Sequence, residues 1–154
     1  DTLLYLAARN EHIKNKIKPA FQKKKVVICD RFIDSTIAYQ VYGKKVDINF
    51  INNIHKKILQ GITPNIVFVL KVSMASSKKR LKKRKTKNRY DNFSQSFYKK
   101  AQNAFIKLAK NRKNYFTLNS SLNDNSLEVE IFNITKKYLN IKWITQFFLT
   151  LKTH

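Results

Sequence analysis

Glycine and proline are nearly missing: the 154-residue chain holds two of each. That scarcity excludes collagen-like repeats and Gly- or Pro-rich linkers. The single cysteine, Cys29, excludes an intramolecular disulfide framework and a multi-cysteine zinc site. His12, His55 and His154 follow no metal-ligand spacing, so no metal site built by this chain is expected. No apolar run approaches the roughly 18 residues of a membrane span, so no membrane partner is expected. Acidic residues are scarce as well, 9 against 32 Lys and Arg, which leaves a formal charge of +23.

What is present favours a globular domain with an ordinary core: 43% hydrophobic and 27% charged residues. The charge suggests nucleic acid, an anionic surface or phosphorylated substrates. Its composition weakens the nucleic-acid reading. The cations are 26 Lys and 6 Arg, whereas Arg supplies the bidentate fork for bases and phosphates. With 16 Asn and 16 Ile as well, all with A/T-rich codons, the Lys excess fits a biased genome. The charge is also uneven: +8 over residues 1–77, +14 over 78–113 and +1 over 114–154. The middle block is where a polyanion or polyphosphate would sit, the alternative being a solvated basic face.

Hydrophobic spacing predicts a helix over 3–17, closed by Pro19. Lys25 to Cys29 (KVVIC) reads as a short buried strand. A polar and aromatic helix follows within 32–42. Asp47 is placed to cap a helix whose apolar face is Phe50, Ile51, Ile54, Ile58 and Leu59, with Gly61 at its stop. Ile66 to Val72 is the strongest strand. A basic helix over 76–85 and a polar loop over 86–93 come next, then a helix marked by Phe97, Ala101, Ala104, Phe105 and Leu108. Tyr115–Leu118 reads as a strand, and Ser126 as the cap of a last helix through Tyr138. Strands alternating with helices predict an α/β fold, a three-layer αβα parallel sheet. No repeat or linker divides the chain.

Four groups of residues could carry chemistry. Asp30 and Arg31 follow the first predicted strand directly. At the carboxyl end of a parallel strand, ligands bind in open α/β sheets. There the carboxylate can organise a reacting centre and the guanidinium can hold a phosphate; otherwise they form a surface ion pair. Tyr5 and Arg9 share a helix face, suited to stacking on a base and donating to it, or to a core Tyr with a rim Arg. Ser35, Thr36, Tyr39 and Gln40 supply hydroxyl, amide and aromatic groups just after Arg31, or form an ordinary polar face. Arg80, Arg84 and Arg89 put three of the six arginines into the most basic block, where they could stabilise a transferring phosphoryl group or lie solvated.

The stretches LLYLAAR (3–9), KPAF (18–21), VVICDRFIDSTIAYQ (26–40), GITPNIVFVLKV (61–72) and RLKKRKTKNRYD (80–91) resemble bacterial thymidylate kinase. That family has an aromatic-x-x-x-Arg helix, a strand ending in Asp-Arg-Tyr/Phe, a Ser-x-x-Ala-Tyr-Gln stretch and an Arg-rich lid. The resemblance spans roughly residues 2 to 139. It implies a P-loop nucleotide kinase fold with a lid at about 78–93. It further implies that Tyr5 stacks on thymine, that Arg9 contacts the base and that Arg31 holds the acceptor phosphate. Asp30 would organise the transfer centre, Ser35, Thr36, Tyr39 and Gln40 would line the deoxynucleoside pocket, and Arg80, Arg84 and Arg89 would close over ATP. The implied reaction is ATP plus dTMP giving ADP plus dTDP, with Mg²⁺, in a cytoplasmic homodimer joined through the segments 3–17 and 49–60.

The chain departs from the family pattern. Asn88 and Asp91 stand where the lid usually carries Asp and Glu, Lys71 replaces an Asp, and Asn65 replaces another. The tail IKWITQFFLTLKTH matches no part of the family, so 140–154 has no assigned role. The phosphate loop G-x-x-x-x-G-K-[ST] does not occur, since Gly43 and Gly61 begin no such pattern. The expectation is a C-terminal fragment lacking the phosphate-loop strand, which in the family lies between the strands at 26–29 and 66–72, and lacking ATP-dependent kinase activity alone. The alternatives are another nucleoside monophosphate kinase and a non-catalytic basic nucleic-acid-binding module.

Overall fold

A computed structural model describes residues 1–83, 93–121 and 125–139. Arg84 at the end of the predicted basic helix, the predicted polar loop with Arg89 up to residue 92, and the tail from 140 lie outside the described residues. The chain forms two compact units, one of residues 1–65 and 94–110, the other of 66–93 and 111–154.

The first unit is helical. Helix α1 (Thr2–His12) runs into a π-helical turn, Ile13–Ile17, and then α2 (Lys18–Gln22). The expected stop at Pro19 does not occur, because Pro19 falls in the first turn of α2. Proline lacks an N–H and crowds the carbonyl four residues back, and the widened turn before it absorbs that mismatch. Helix α3 (Ile33–Thr36) likewise opens into a π-helical segment, Ile37–Gly43. Helix α4 (Ile48–Leu59) starts as expected: the Asp47 carboxylate accepts from the Phe50 N–H at 2.7 Å. Its C-terminus turns through Gln60 in the left-handed region, with Gly61 following at φ 83°. Helix α6 (Gln95–Ala109) is capped by Ser94, whose hydroxyl accepts from the Phe97 N–H at 3.2 Å. Two apolar clusters hold these helices. Leu6, Ile37 and Ile51 form one, and Ile13, Ile17 and Leu59 the other. Phe50, placed on the α4 core face by its spacing, is instead 43% exposed.

The predicted strand over Lys25 to Cys29 does not form. Val27 packs against the Ile13–Ile17–Leu59 cluster, but Val26 and Ile28 are 77% and 73% exposed. A strand is defined by ladder partners, and among the described residues none pairs with this segment.

The second unit carries the sheet: two parallel strands, β1 (Val67–Lys71) and β2 (Tyr115–Asn119), in register from Val67 opposite Tyr115 to Lys71 opposite Asn119. The phenyl rings of Phe68 and Phe116 lie across the ladder at 5.8 Å. The Ser120 N–H extends the pairing to the Lys71 carbonyl at 2.8 Å. Helix α5 (Met74–Lys83) begins where the Ser73 hydroxyl accepts from the Ser76 N–H at 3.1 Å. Helix α7 (Ser126–Tyr138) starts one residue earlier than expected: Asn125 takes the N-cap position without a side-chain capping bond, and Ser126 is the first helical residue. The fold is therefore mostly helical α/β with a small parallel sheet, which among the described residues has two strands where three were expected. No described helix is long and apolar enough to cross a membrane.

Candidate functional site

Eight of the predicted site residues, Tyr5, Arg9, Asp30, Arg31, Ser35, Thr36, Tyr39 and Gln40, fall in the first unit. They sit on α1, on the turn before α3, on α3 and on the π-helical segment after it. Arg31 has φ 64°, a left-handed backbone uncommon outside glycine. Such strain concentrates at functional turns. Its Nη1 donates to the Tyr39 hydroxyl at 3.1 Å, and its guanidinium lies 5.4 Å from the centre of the Tyr39 ring. Arg31 remains exposed, as does the neighbouring Asp30. Tyr39 is itself packed against Phe97 and Phe105 of α6, with ring centres at 5.9 and 6.0 Å.

Arg9 makes a second anchored cation. Its Nη2 donates to the Thr36 hydroxyl at 3.2 Å, and its guanidinium sits 5.0 Å from the centre of the Phe32 ring. Burial lowers its pKa from the ordinary value, and the nearby Cys29 opposes that shift. Its Nε is buried without a hydrogen-bond partner. Tyr5, one turn earlier on α1, is 38% exposed. The two side chains thus offer an exposed aromatic and a partly buried guanidinium along one helix.

The remaining residues divide. Thr36 is buried and its hydroxyl is engaged by Arg9. Gln40 is buried, and its Oε1 accepts from the Thr2 hydroxyl at 3.1 Å, which ties the start of α1 to the π-helical segment. Ser35 is half-buried. Arg80 lies in the second unit on α5, where its Nη2 donates to the Ser120 carbonyl at 2.6 Å. That bond tethers α5 to the end of β2.

Sequence reasoning missed three contributors. Phe32 serves as the platform under Arg9. Gly43 lies so close to Phe97 that a Cβ there would stand 2.5 Å from its Cε2. His55, spaced with the apolar face of α4, is 5% exposed, and its Nε2 is buried without a partner. Burial first, and then the charge of Arg9, push the His55 pKa down to about 4. Burial raises the Cys29 thiol; Arg9 opposes the shift and Asp30 adds to it. His55 and Cys29 are therefore neutral beside a charged Arg9 at neutral pH.

Comparison with known proteins gives a consistent picture. The thymidylate kinase family profile matches residues 2–131. A thymidylate kinase of Wolbachia pipientis subsp. Culex pipiens (strain wPip) is 39% identical over 140 residues, covering 89% of this chain and 66% of that protein. One from Mesoplasma florum is 34% identical over 140 residues, covering 90% of this chain and 65% of its own length. The crystal structure of thymidylate kinase from Ehrlichia chaffeensis superposes with a TM-score of 0.66 at 28% identity, over 87% of this chain and 64% of that one. The chain spans about two-thirds of the length of these relatives.

Proposed function

Because the chain belongs to the thymidylate kinase family, a family of transferases that use ATP, we propose that its first unit carries the acceptor-nucleotide site for dTMP. The reaction of the whole enzyme is then transfer of the ATP γ-phosphoryl group to the dTMP phosphate, giving ADP and dTDP. Residues 1–139 form the C-terminal part of the kinase domain in this reading.

The observation that carries it is the pair of anchored guanidiniums. Arg31, exposed and held against Tyr39, presents a fork of donors suited to the phosphate of the nucleotide. Arg9, positioned by Thr36 and Phe32, supplies donors to the base, with Tyr5 as the stacking surface. Two fixed cations orient the acceptor before transfer, and orientation with charge stabilisation is most of what phosphoryl transfer requires. Ser35, Tyr39 and Gln40 complete the wall of the deoxynucleoside pocket. Arg80, Arg84 and Arg89 belong to a lid over the ATP phosphates.

No cluster of three or more metal-ligating side chains occurs among the described residues. Mg²⁺ held by nucleotide phosphates needs only one or two protein carboxylates, and the exposed Asp30 beside Arg31 fits that requirement. The ion would offset phosphate charge, and Asp30 would orient it. In the whole enzyme, pairing of two subunits through α1 and α4 would cover Leu3, Leu4 and Phe50, which are exposed here.

The experiment is a calorimetric titration of the chain with the four deoxynucleoside monophosphates. dTMP should bind at least about tenfold more tightly than dCMP, dAMP or dGMP, which corresponds to about 1.4 kcal/mol. Equal binding of all four would sink the assignment to thymidylate.

A further inference from the structure

The lid accounts for only part of the basic block at 78–113. The lysines of α6 lie outside it, and two of them converge. Lys100 and Lys107, with Asn103 and Ala104 between them, lie on one face of α6 at helical spacing. Across from this face are Tyr42, in the π-helical segment, and Lys45, just after it. These six residues line a recess of about 340 Å³, all within the first unit.

The chemistry of this lining is one-sided. Its residues include three lysines, a tyrosine and an asparagine, and no Asp or Glu. Helix α6 contains no Asp or Glu, so no lysine on it can be neutralised one turn away. Lys44 is paired with Asp1 at 3.1 Å, and the Asp47 carboxylate caps α4. Neither Lys45, Lys100 nor Lys107 forms an ion pair among the described residues. The Lys107 ammonium lies 5.4 Å from the centre of the Tyr42 ring, which holds it at the wall. Lys45 occupies a left-handed backbone conformation, φ 61°. A biased genome scatters lysines over the surface and does not explain three of them facing one concavity.

We propose that this recess binds a small polyanion of the oligophosphate class, at a site distinct from the acceptor site. Lysine binds phosphate as a compact point charge with freely rotating donors, whereas Arg binds it as a fixed planar fork. Three lysines with the Tyr42 hydroxyl and the Asn103 amide suit the tetrahedral, multiply charged groups of a short phosphate chain. A recess between two helical elements suits a small molecule better than the convex surface of a duplex. The proposal does not depend on the kinase reading.

The test titrates the chain with inorganic tripolyphosphate by calorimetry, in the wild type and in Lys99→Gln, Lys100→Gln and Lys107→Gln variants. Lys99 and Lys100 are adjacent and their replacement changes the net charge equally, but only Lys100 lines the recess. Saturable one-to-one binding, weakened about tenfold by Lys100→Gln or Lys107→Gln and less than about twofold by Lys99→Gln, supports the site. Binding should persist when dTMP is saturating, and ATP should bind comparably if the phosphate chain is what is read. Three results overturn the proposal: no saturable binding, equal losses for Lys99→Gln and Lys100→Gln, or full competition by dTMP. Preferential binding of a thymidylate oligonucleotide with equal losses in both variants assigns the charge to a polymer and also overturns it.

Discussion

Replacing Gly43 by alanine tests whether helix packing holds Arg31, the residue proposed to bind phosphate, in place. The added Cβ would meet Phe97 at 2.5 Å from Cε2, 2.8 Å from Cζ and 3.2 Å from Cδ2. Carbon atoms in contact prefer about 3.5–4.0 Å, so the ring must move by about an ångström. Phe97 is buried and stacks against Tyr39, whose hydroxyl accepts the Arg31 hydrogen bond. Overpacking of this kind costs about 1–3 kcal/mol. Gly43 closes a helical segment with no positive φ, so alanine returns about 1 kcal/mol of helix propensity. The net is a destabilisation of about 0–2 kcal/mol, and each 1 kcal/mol lowers Tm by about 2–4 °C in a chain of this size. The sharper signal is functional: dTMP affinity should fall several-fold as Tyr39 and Arg31 shift. Adding Phe97→Leu, which makes room, should recover both losses in a double-mutant cycle. Gly61→Ala is the contrast, since its neighbourhood is open and only its φ of 83° opposes a side chain. It should lower stability without altering dTMP affinity. A Gly43→Ala protein with unchanged Tm and unchanged dTMP affinity would refute the packing argument.

Two further outcomes are expected. His55 has a folded pKa of about 4 against an ordinary 6.5, so the unfolded chain takes up a proton first as the pH falls. Stability present above about pH 6.5 is therefore lost as the pH drops toward about 4, by roughly 3 kcal/mol; urea melts across that range should show it, and His55→Gln should flatten the profile. Asp47→Ala removes the carboxylate that accepts from the Phe50 N–H. It should lower stability by about 1 kcal/mol in the same melts, with Asp47→Asn restoring most of it.

The parts of the fold that were legible are those set by short-range chemistry. Asp47 and the apolar spacing behind it located α4, and the β-branched run at 66–72 located β1. Where long-range partners decide, the sequence was a poor guide. Val26 and Ile28 have strand-forming side chains, but a ladder needs a neighbour that local pattern does not reveal. Pro19 ends most helices, and only the widened turn at Ile13–Ile17 explains why this one continues. The candidate site was legible as residue types and order, through the resemblance of 3–9 and 26–40 to a known family. Its geometry was not: Arg9 meets Thr36 across 27 residues, and nothing near Gly43 announces that Phe97 will press against it. His55 was hidden because a histidine on an apolar helix face looks like any other buried position.

The central claim, that Arg31 holds the phosphate of dTMP, is tested most directly by titrating the chain with dTMP and with thymidine. If the claim holds, the wild type binds dTMP at least about tenfold more tightly than thymidine, and Arg31→Ala removes that preference while leaving thymidine binding nearly unchanged. An Arg31→Ala protein that still prefers dTMP by the wild-type margin would contradict it.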